Sequence, residues 1–174
     1  MQAIRRFQLF RLFRHLLLPG WWVRRAFTPP LRRAIEAAIG ASEVRHQGEL
    51  RLVLEANLPL PGLLHGQTAR ARAIELFSQL RVWDTAHNNG VLIYLQLIDR
   101  QVEIVADRGI DAEVGPAFWS GVCQKMEAAF RQRRFEAGTL AALDEITAIL
   151  AQRFPAPGES PPKTNELSDA PLLL

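Results

Sequence analysis

Four oxygen-bearing side chains raise the first chemical question in this sequence: Asp84, Asn88, Asn89 and Asp107. Two are carboxylates and two are amides, and hard cations such as calcium take oxygen ligands in a flexible shell of about six to eight. A metal reading makes calcium the cofactor and these four residues its ligands, with backbone carbonyls around His87 to Gly90 completing the shell and Glu49 as a further contributor. Arg108, next to Asp107, works against a strongly anionic pocket but suits a phosphate held beside a metal. His87, near the cluster, is a candidate acid or base, set against the usual solvent exposure of a lone loop histidine. A structural reading competes with this one. Asn-Gly is turn chemistry, because both residues tolerate positive φ, and an aspartate ahead of a helix or turn is commonly a cap. The residue types alone leave both readings standing.

Other chemistries are poorly supported. Thr85, Ser78 and Ser120 lack the neighbouring base and orienting group of an activated nucleophile, so hydrolysis here would have to use metal-bound water. There is no EF-hand ladder and no phosphate-cradling glycine loop, and His15, His46 and His65 are too scattered for a zinc set. The single cysteine, Cys123, falls among apolar helix positions and reads as an inert thiol.

A β-hairpin must bring the four oxygens together. The apolar run Val91 to Ile98 is followed by Asp99-Arg100 and a second run, Gln101 to Asp107. A turn at that two-residue break pairs Leu92 near Asp107 and Val91 near Arg108, which gathers Asp84, Asn88, Asn89 and Asp107 at the open end. Asp99-Arg100 is a weak pair for a primed turn, so the register is free to slip by a residue. Before the hairpin, Glu49 to Ala56 alternates, with Leu50, Leu52 and Leu54 on one face and Glu49, Arg51 and Glu55 on the other, as in a half-exposed or edge strand. A helix from Gln67 to about Leu80 then buries Ala73, Leu76, Phe77 and Leu80 and exposes Arg70, Arg72, Glu75 and Gln79. Strand, helix, strand predicts a right-handed crossover with parallel pairing.

The run VWDTAHNNGVLIYLQLIDRQVEIVADRGI resembles the TPM domain family, and the similarity extends from about Leu31 to Phe154. The resemblance implies weak acid-phosphatase activity and calcium binding, as associated with some members, or an accessory role for membrane proteins, as in others.

Around this centre, a helix capped by Thr28-Pro29-Pro30 runs to about His46 with Leu31, Ile35, Ala38, Ile39 and Ser42 as its stripe, and two further helices, Pro116 to about Gln132 and Glu136 to about Phe154, close the domain. The expected fold is a three-layer α/β/α sandwich with a small mixed sheet containing a central β-hairpin. Residues 29–154 form the domain, and residues 155–174, rich in proline and polar groups, read as a disordered tail. Leu60, Leu63 and Leu64, in the loop between, either cover an end of the core or touch a membrane.

Residues 1–28 are a basic amphipathic segment. The first 35 residues hold eight arginines and no acid, leaving 13 basic against 18 acidic side chains in the rest. Phe7, Phe10, Phe13, Leu16 and Leu17 recur at helical spacing opposite Gln8, Arg11, Arg14 and His15; Pro19-Gly20 ends the helix, and Trp21-Trp22 are headgroup-level aromatics. Arginines interrupt the segment too early for the ~20 apolar residues of a bilayer span. The alternatives are an anchor on an anionic membrane surface through residues 4–25, a helix packed on the domain, and a loose arm. Nucleic acid is disfavoured, because the arginines alternate with large aliphatics. The sequence thus points to a cytoplasmic accessory module, peripheral to the inner membrane and engaging a membrane or membrane-associated protein. A metal-assisted phosphomonoesterase is the alternative.

Overall fold

The computed structural model describes residues 2–18, 20–156 and 165–174, with side chains from Phe10 onward. Pro19, residues 157–164 of the expected tail, and the side chains of Phe7, Gln8 and Trp22 lie outside the described residues. In chain order the elements are α1 (Gln2–Leu17), α2 (Trp21–Ala26), α3 (Pro29–Glu43), β1 (Glu49–Glu55), α4 (Leu60–Leu64), α5 (Ala69–Gln79), β2 (Gly90–Gln96), β3 (Gln101–Ala106), α6 (Arg108–Val114), α7 (Pro116–Arg131), α8 (Phe135–Arg153) and β4 (Leu172–Leu173).

The sheet has the order β3-β2-β1-β4, with β1 parallel to β2 and β4 and β2 antiparallel to β3. One face carries Leu50, Leu52, Leu54, Val91, Ile93, Leu95, Val102 and Ile104 against α3, α7 and α8. The other carries Val53, Leu92, Tyr94 and Val105 against Ala69, Ala73 and Leu76 of α5, with Leu167 and Leu172 packed alongside. This is the expected three-layer sandwich, and α5 makes the expected parallel crossover from β1 to β2. Helix stripes close it as the spacing predicted: Ser42 of α3, on the apolar side, is buried between His46 (2.7 Å) and Thr147 of α8 (2.6 Å).

Four expectations are corrected. The hairpin pairs Val91 with Ala106 and Gln96 with Gln101, two residues away from the predicted register. Residues 97–100 form the turn, with Arg100 at φ +56° and Gln96 Oε1 accepting from Asp99 N at 2.8 Å. A slip of two preserves which side chains face the core, so the apolar pattern could not fix it.

Strand β1 is interior, not an edge, because β4 covers it: Val53 pairs with Leu172 and Leu54 with Leu173. The tail is therefore ordered over 165–174, and its apolar end completes the sheet. Finally, Glu55 and Arg72 do not face water. They are 2% and 8% exposed and form a bidentate pair, Arg72 Nη2 to Glu55 Oε1 at 2.7 Å, with the Tyr94 hydroxyl donating to Glu55 Oε2 at 2.6 Å. The Glu55 carboxylate beside it drives the Arg72 guanidinium still further toward the charged form, and burial raises the Tyr94 phenol.

Candidate functional site

The amino ends of β1 and β2 and the carboxyl end of β3 meet at one edge of the sheet. There Glu49 N donates to Asn89 O at 3.1 Å and Asp107 N to Gly90 O at 2.8 Å, so the backbone itself ties Glu49, Asn89 and Asp107 together. The two-residue change of register puts Asp107 opposite Gly90, closer along the ladder to Asn89 than the predicted pairing would. Gly90 is required: a Cβ there would sit 1.9 Å from the Val82 carbonyl oxygen. Gly109 is nearly as constrained, with Asn88 O 2.9 Å from its Cβ position.

The turn role foreseen for the asparagines is present at Asn88 but not at Asn89 or Gly90, neither of which has positive φ, and Asp107 takes a cap role. Asn88 is exposed with φ +51°, a turn residue in the left-handed region. Asp107 caps α6, its Oδ1 accepting from Arg108 N at 2.6 Å. Asn89 N donates to Thr85 Oγ1 at 3.0 Å, and its side-chain Nδ2 donates to Gln47 O.

Those bonds leave a remainder. Asn89 Oδ1 and Asp107 Oδ2 are both buried and have no hydrogen-bond partner among the described residues. The donor bond to Gln47 O fixes which end of the Asn89 amide is oxygen, so the orphan is an acceptor. Asp84 and His87 are exposed on the preceding loop, and Trp83, next to Asp84, shares a shallow surface pocket with Phe77, Ser78, Asp107 and Arg108. The sheet end thus brings the backbones of Asn89 and Asp107 together, while Asp84 and Asn88 are exposed on the preceding loop.

Two lone acceptor oxygens match the ligand type of a hard cation. They fall short of a full shell, and no group of three or more His, Cys, Asp or Glu side chains with metal-holding geometry occurs among the described residues. A cation here would take Asn89 Oδ1 and Asp107 Oδ2 and rely on carbonyls and water for the rest. Glu49 is less available than the sequence suggested. It is 1% exposed, and its Oε2 accepts from Leu167 N at 3.3 Å. The same C-terminal segment reaches the loop, where the Glu166 carboxylate accepts from Ala86 N at 3.0 Å. Nothing in local periodicity announces these two contacts, because the partners lie far apart in sequence. Cys123 is half-buried, and burial pushes its thiol up to about 12, consistent with an inert role.

The opposite end of the sheet holds a second polar cluster. Asp99 in the β2–β3 turn accepts from Arg11 Nε at 2.7 Å and lies 3.2 Å from His15 Nε2. Arg11 also donates to Gln67 O at 2.8 Å, Arg14 donates to Ile98 O, and Leu58 N donates to His15 Nδ1 at 3.1 Å. Helix α1 is therefore fastened to the domain by its polar side. Its apolar side faces outward, with Phe13 58% and Leu17 74% exposed and Phe10 and Leu16 similarly bare, as is Trp21 of α2. Leu60 and Leu64 of α4, in the loop that α1 grips, are exposed too. No helix among the described residues is long and apolar enough to cross a membrane.

The TPM domain family matches residues 24–149 of this chain. Among solved structures, the chain is similar to the NMR structure of the BA42 protein from the psychrophilic bacterium Bizionia argentinensis, at 27% identity over 84% of this chain and 94% of that one, with a TM-score of 0.72. No curated protein matches the sequence.

Proposed function

The chain belongs to the TPM domain family, and from that footing we propose that it is an accessory module that sits on a membrane surface and engages a membrane or membrane-associated protein there. The observation that carries this reading is the orientation of α1. A helix docked by Arg11, Arg14 and His15 with Phe10, Phe13 and Leu17 turned to solvent is inverted relative to a helix that merely covers a core. Burying one such side chain is worth about 1.5–3 kcal/mol. Arg24 and Arg25 of α2 are exposed and supply charge for anionic lipid, each worth about 1 kcal/mol near such a surface. The arginines that dock α1 do not serve that purpose, so contact with lipid rests more on apolar insertion than the sequence suggested. The cytoplasmic leaflet, where anionic lipid is enriched, is the side this reading assigns.

Flotation of the full chain with phosphatidylglycerol-containing vesicles tests it. Phe13→Ser/Leu17→Ser should lower the bound fraction tenfold or more while leaving the melting temperature within a degree or two, because neither side chain is packed. Unchanged flotation of that variant would remove the membrane from the reading.

A divalent cation at Asn89 and Asp107 is the second part of the proposal, supported by the two unpartnered oxygens. Such an ion, when bound, would supply polarisation of a phosphate oxygen or of water. The chain's own residues offer Arg108, exposed beside Asp107, to orient an anion. They offer no activated hydroxyl, since the Thr85 oxygen is taken by Asn89 N. Phosphomonoester hydrolysis therefore stands behind the accessory role.

A further inference from the structure

Beside the docked helix, the carboxyl ends of the parallel strands β1 and β2 open on a cavity of about 240 Å³. Leu18, Val23, Ala56, Leu97, Phe130 and Phe135 form its apolar wall. Phe130 and Phe135 are held in place by each other, ring centroids 5.3 Å apart, and by Phe27, 6.2 and 5.7 Å away, so the wall is preformed. Four arginines, Arg14, Arg100, Arg131 and Arg133, complete the lining, and it contains no acidic side chain among the described residues.

These four cations are not equivalent. Arg14 is committed to Ile98 O, and Arg131 shares its charge with Glu127 at 3.1 Å. Arg100 and Arg133 are exposed, and their guanidinium groups make no hydrogen bond or ion pair among the described residues. Both stand in tight turns at φ +56° and +60°, the left-handed region that few side chains with a Cβ adopt. Each turn therefore projects an uncompensated guanidinium at an apolar mouth, where low-dielectric walls strengthen the attraction for an anion. A guanidinium matches a phosphate with parallel hydrogen bonds. An apolar cavity with a cationic rim is complementary to a molecule that is apolar at one end and anionic at the other.

We propose that this cavity binds one anionic phospholipid, an acyl chain against Leu18, Val23, Leu97, Phe130 and Phe135 and the phosphate between Arg100 and Arg133. The lipid's origin in a bilayer rests on the peripheral-membrane reading, since the exposed face of α1 and α2 adjoins the cavity. The cavity's chemistry stands independently of it.

The test uses the full chain and a soluble probe, dihexanoyl phosphatidylglycerol kept below its micelle concentration, in an NMR titration. Saturable binding that shifts the resonances of Leu97, Phe130 and Arg133 is expected, with the zwitterionic phosphatidylcholine counterpart at least tenfold weaker. Arg100→Asn/Arg133→Asn removes both charges and places a residue suited to left-handed φ at each turn, so it should fold as well as the parent yet bind the probe at least tenfold more weakly. Equal binding by that variant, or equal affinity for the two headgroups, would overturn the proposal. Tighter binding of octanoate than of the phospholipid would also overturn it, by assigning the cavity to a free fatty acid. Phe13→Ser/Leu17→Ser separates the two readings: it should lose flotation and keep the soluble probe. Flotation without probe binding would sink the cavity alone, and probe binding without flotation would sink the membrane reading alone.

Discussion

A buried acceptor without a donor costs about 1–3 kcal/mol, and Asn89 Oδ1 and Asp107 Oδ2 carry that cost at the same sheet end. A cation binding only the folded chain would recover it. At a hundred times its dissociation constant such an ion adds about 2.7 kcal/mol, which for a chain of this length is a rise of about 5–10 °C in Tm. Calcium should produce that rise in a calorimetric scan, and Asp107→Asn should abolish it; a Tm indifferent to calcium in the parent protein would remove the ion from the site. Gly90→Ala is a control of a different kind. With its Cβ 1.9 Å from the Val82 carbonyl, it should destabilise by 3 kcal/mol or more in urea unfolding whether or not an ion is present. At this scale the sequence was informative about type and weak about place. The turn role of Asn88 and the cap role of Asp107 followed from their side-chain chemistry. The pairing of Asp107 with Gly90 did not, because a register slip of two leaves every apolar residue on its original face.

Elements are held together here by charge as well as by oil. Glu55 of β1, Arg72 of α5 and Tyr94 of β2 form one buried network across two layers. Removing one member leaves the other charge stranded, which costs about 3–5 kcal/mol, whereas removing both is far milder. Arg72→Met should therefore lower stability by about that amount in urea, and Glu55→Gln/Arg72→Met should regain much of it; additive losses would mean that the pair is not coupled. Periodicity places both residues on solvent faces because it describes each element in isolation. Opposite charges on two such faces are compatible with burial once the faces meet, and a one-dimensional pattern does not say which faces meet. The crossover, the helix stripes and the inward leucines of β1 were legible, since each depends only on local spacing. Strand β4 was not, being two residues of leucine after a proline-rich stretch.

At the scale of the whole molecule, one carboxylate, Asp99, receives two of the contacts that join α1 to the domain. Burial pushes the Asp99 carboxyl up, but hydrogen bonding from His15 and Arg11 and the charge of Arg11 outweigh it and hold the group below its ordinary value. A carboxylate with a depressed folded pKa stabilises the docked state fully above its unfolded pKa, near 4. That contribution fades as pH falls through the lower, folded value. Tryptic cleavage within α1 should thus be slow from pH 5 to 8, and Asp99→Asn should speed it at pH 7; equal rates in parent and variant would show that the other contacts suffice. The distribution of charge was plain in the sequence, but which side of α1 the domain would take was not, since amphipathicity names two faces and not their partners. The placement of β4 has a consequence for biogenesis. On the ribosome, β1 emerges well over a hundred residues before its outer neighbour β4, so a growing chain carries an open hydrogen-bonding border until that strand has been made. A nascent polypeptide of this kind is a natural client for a chaperone that shields extended backbone.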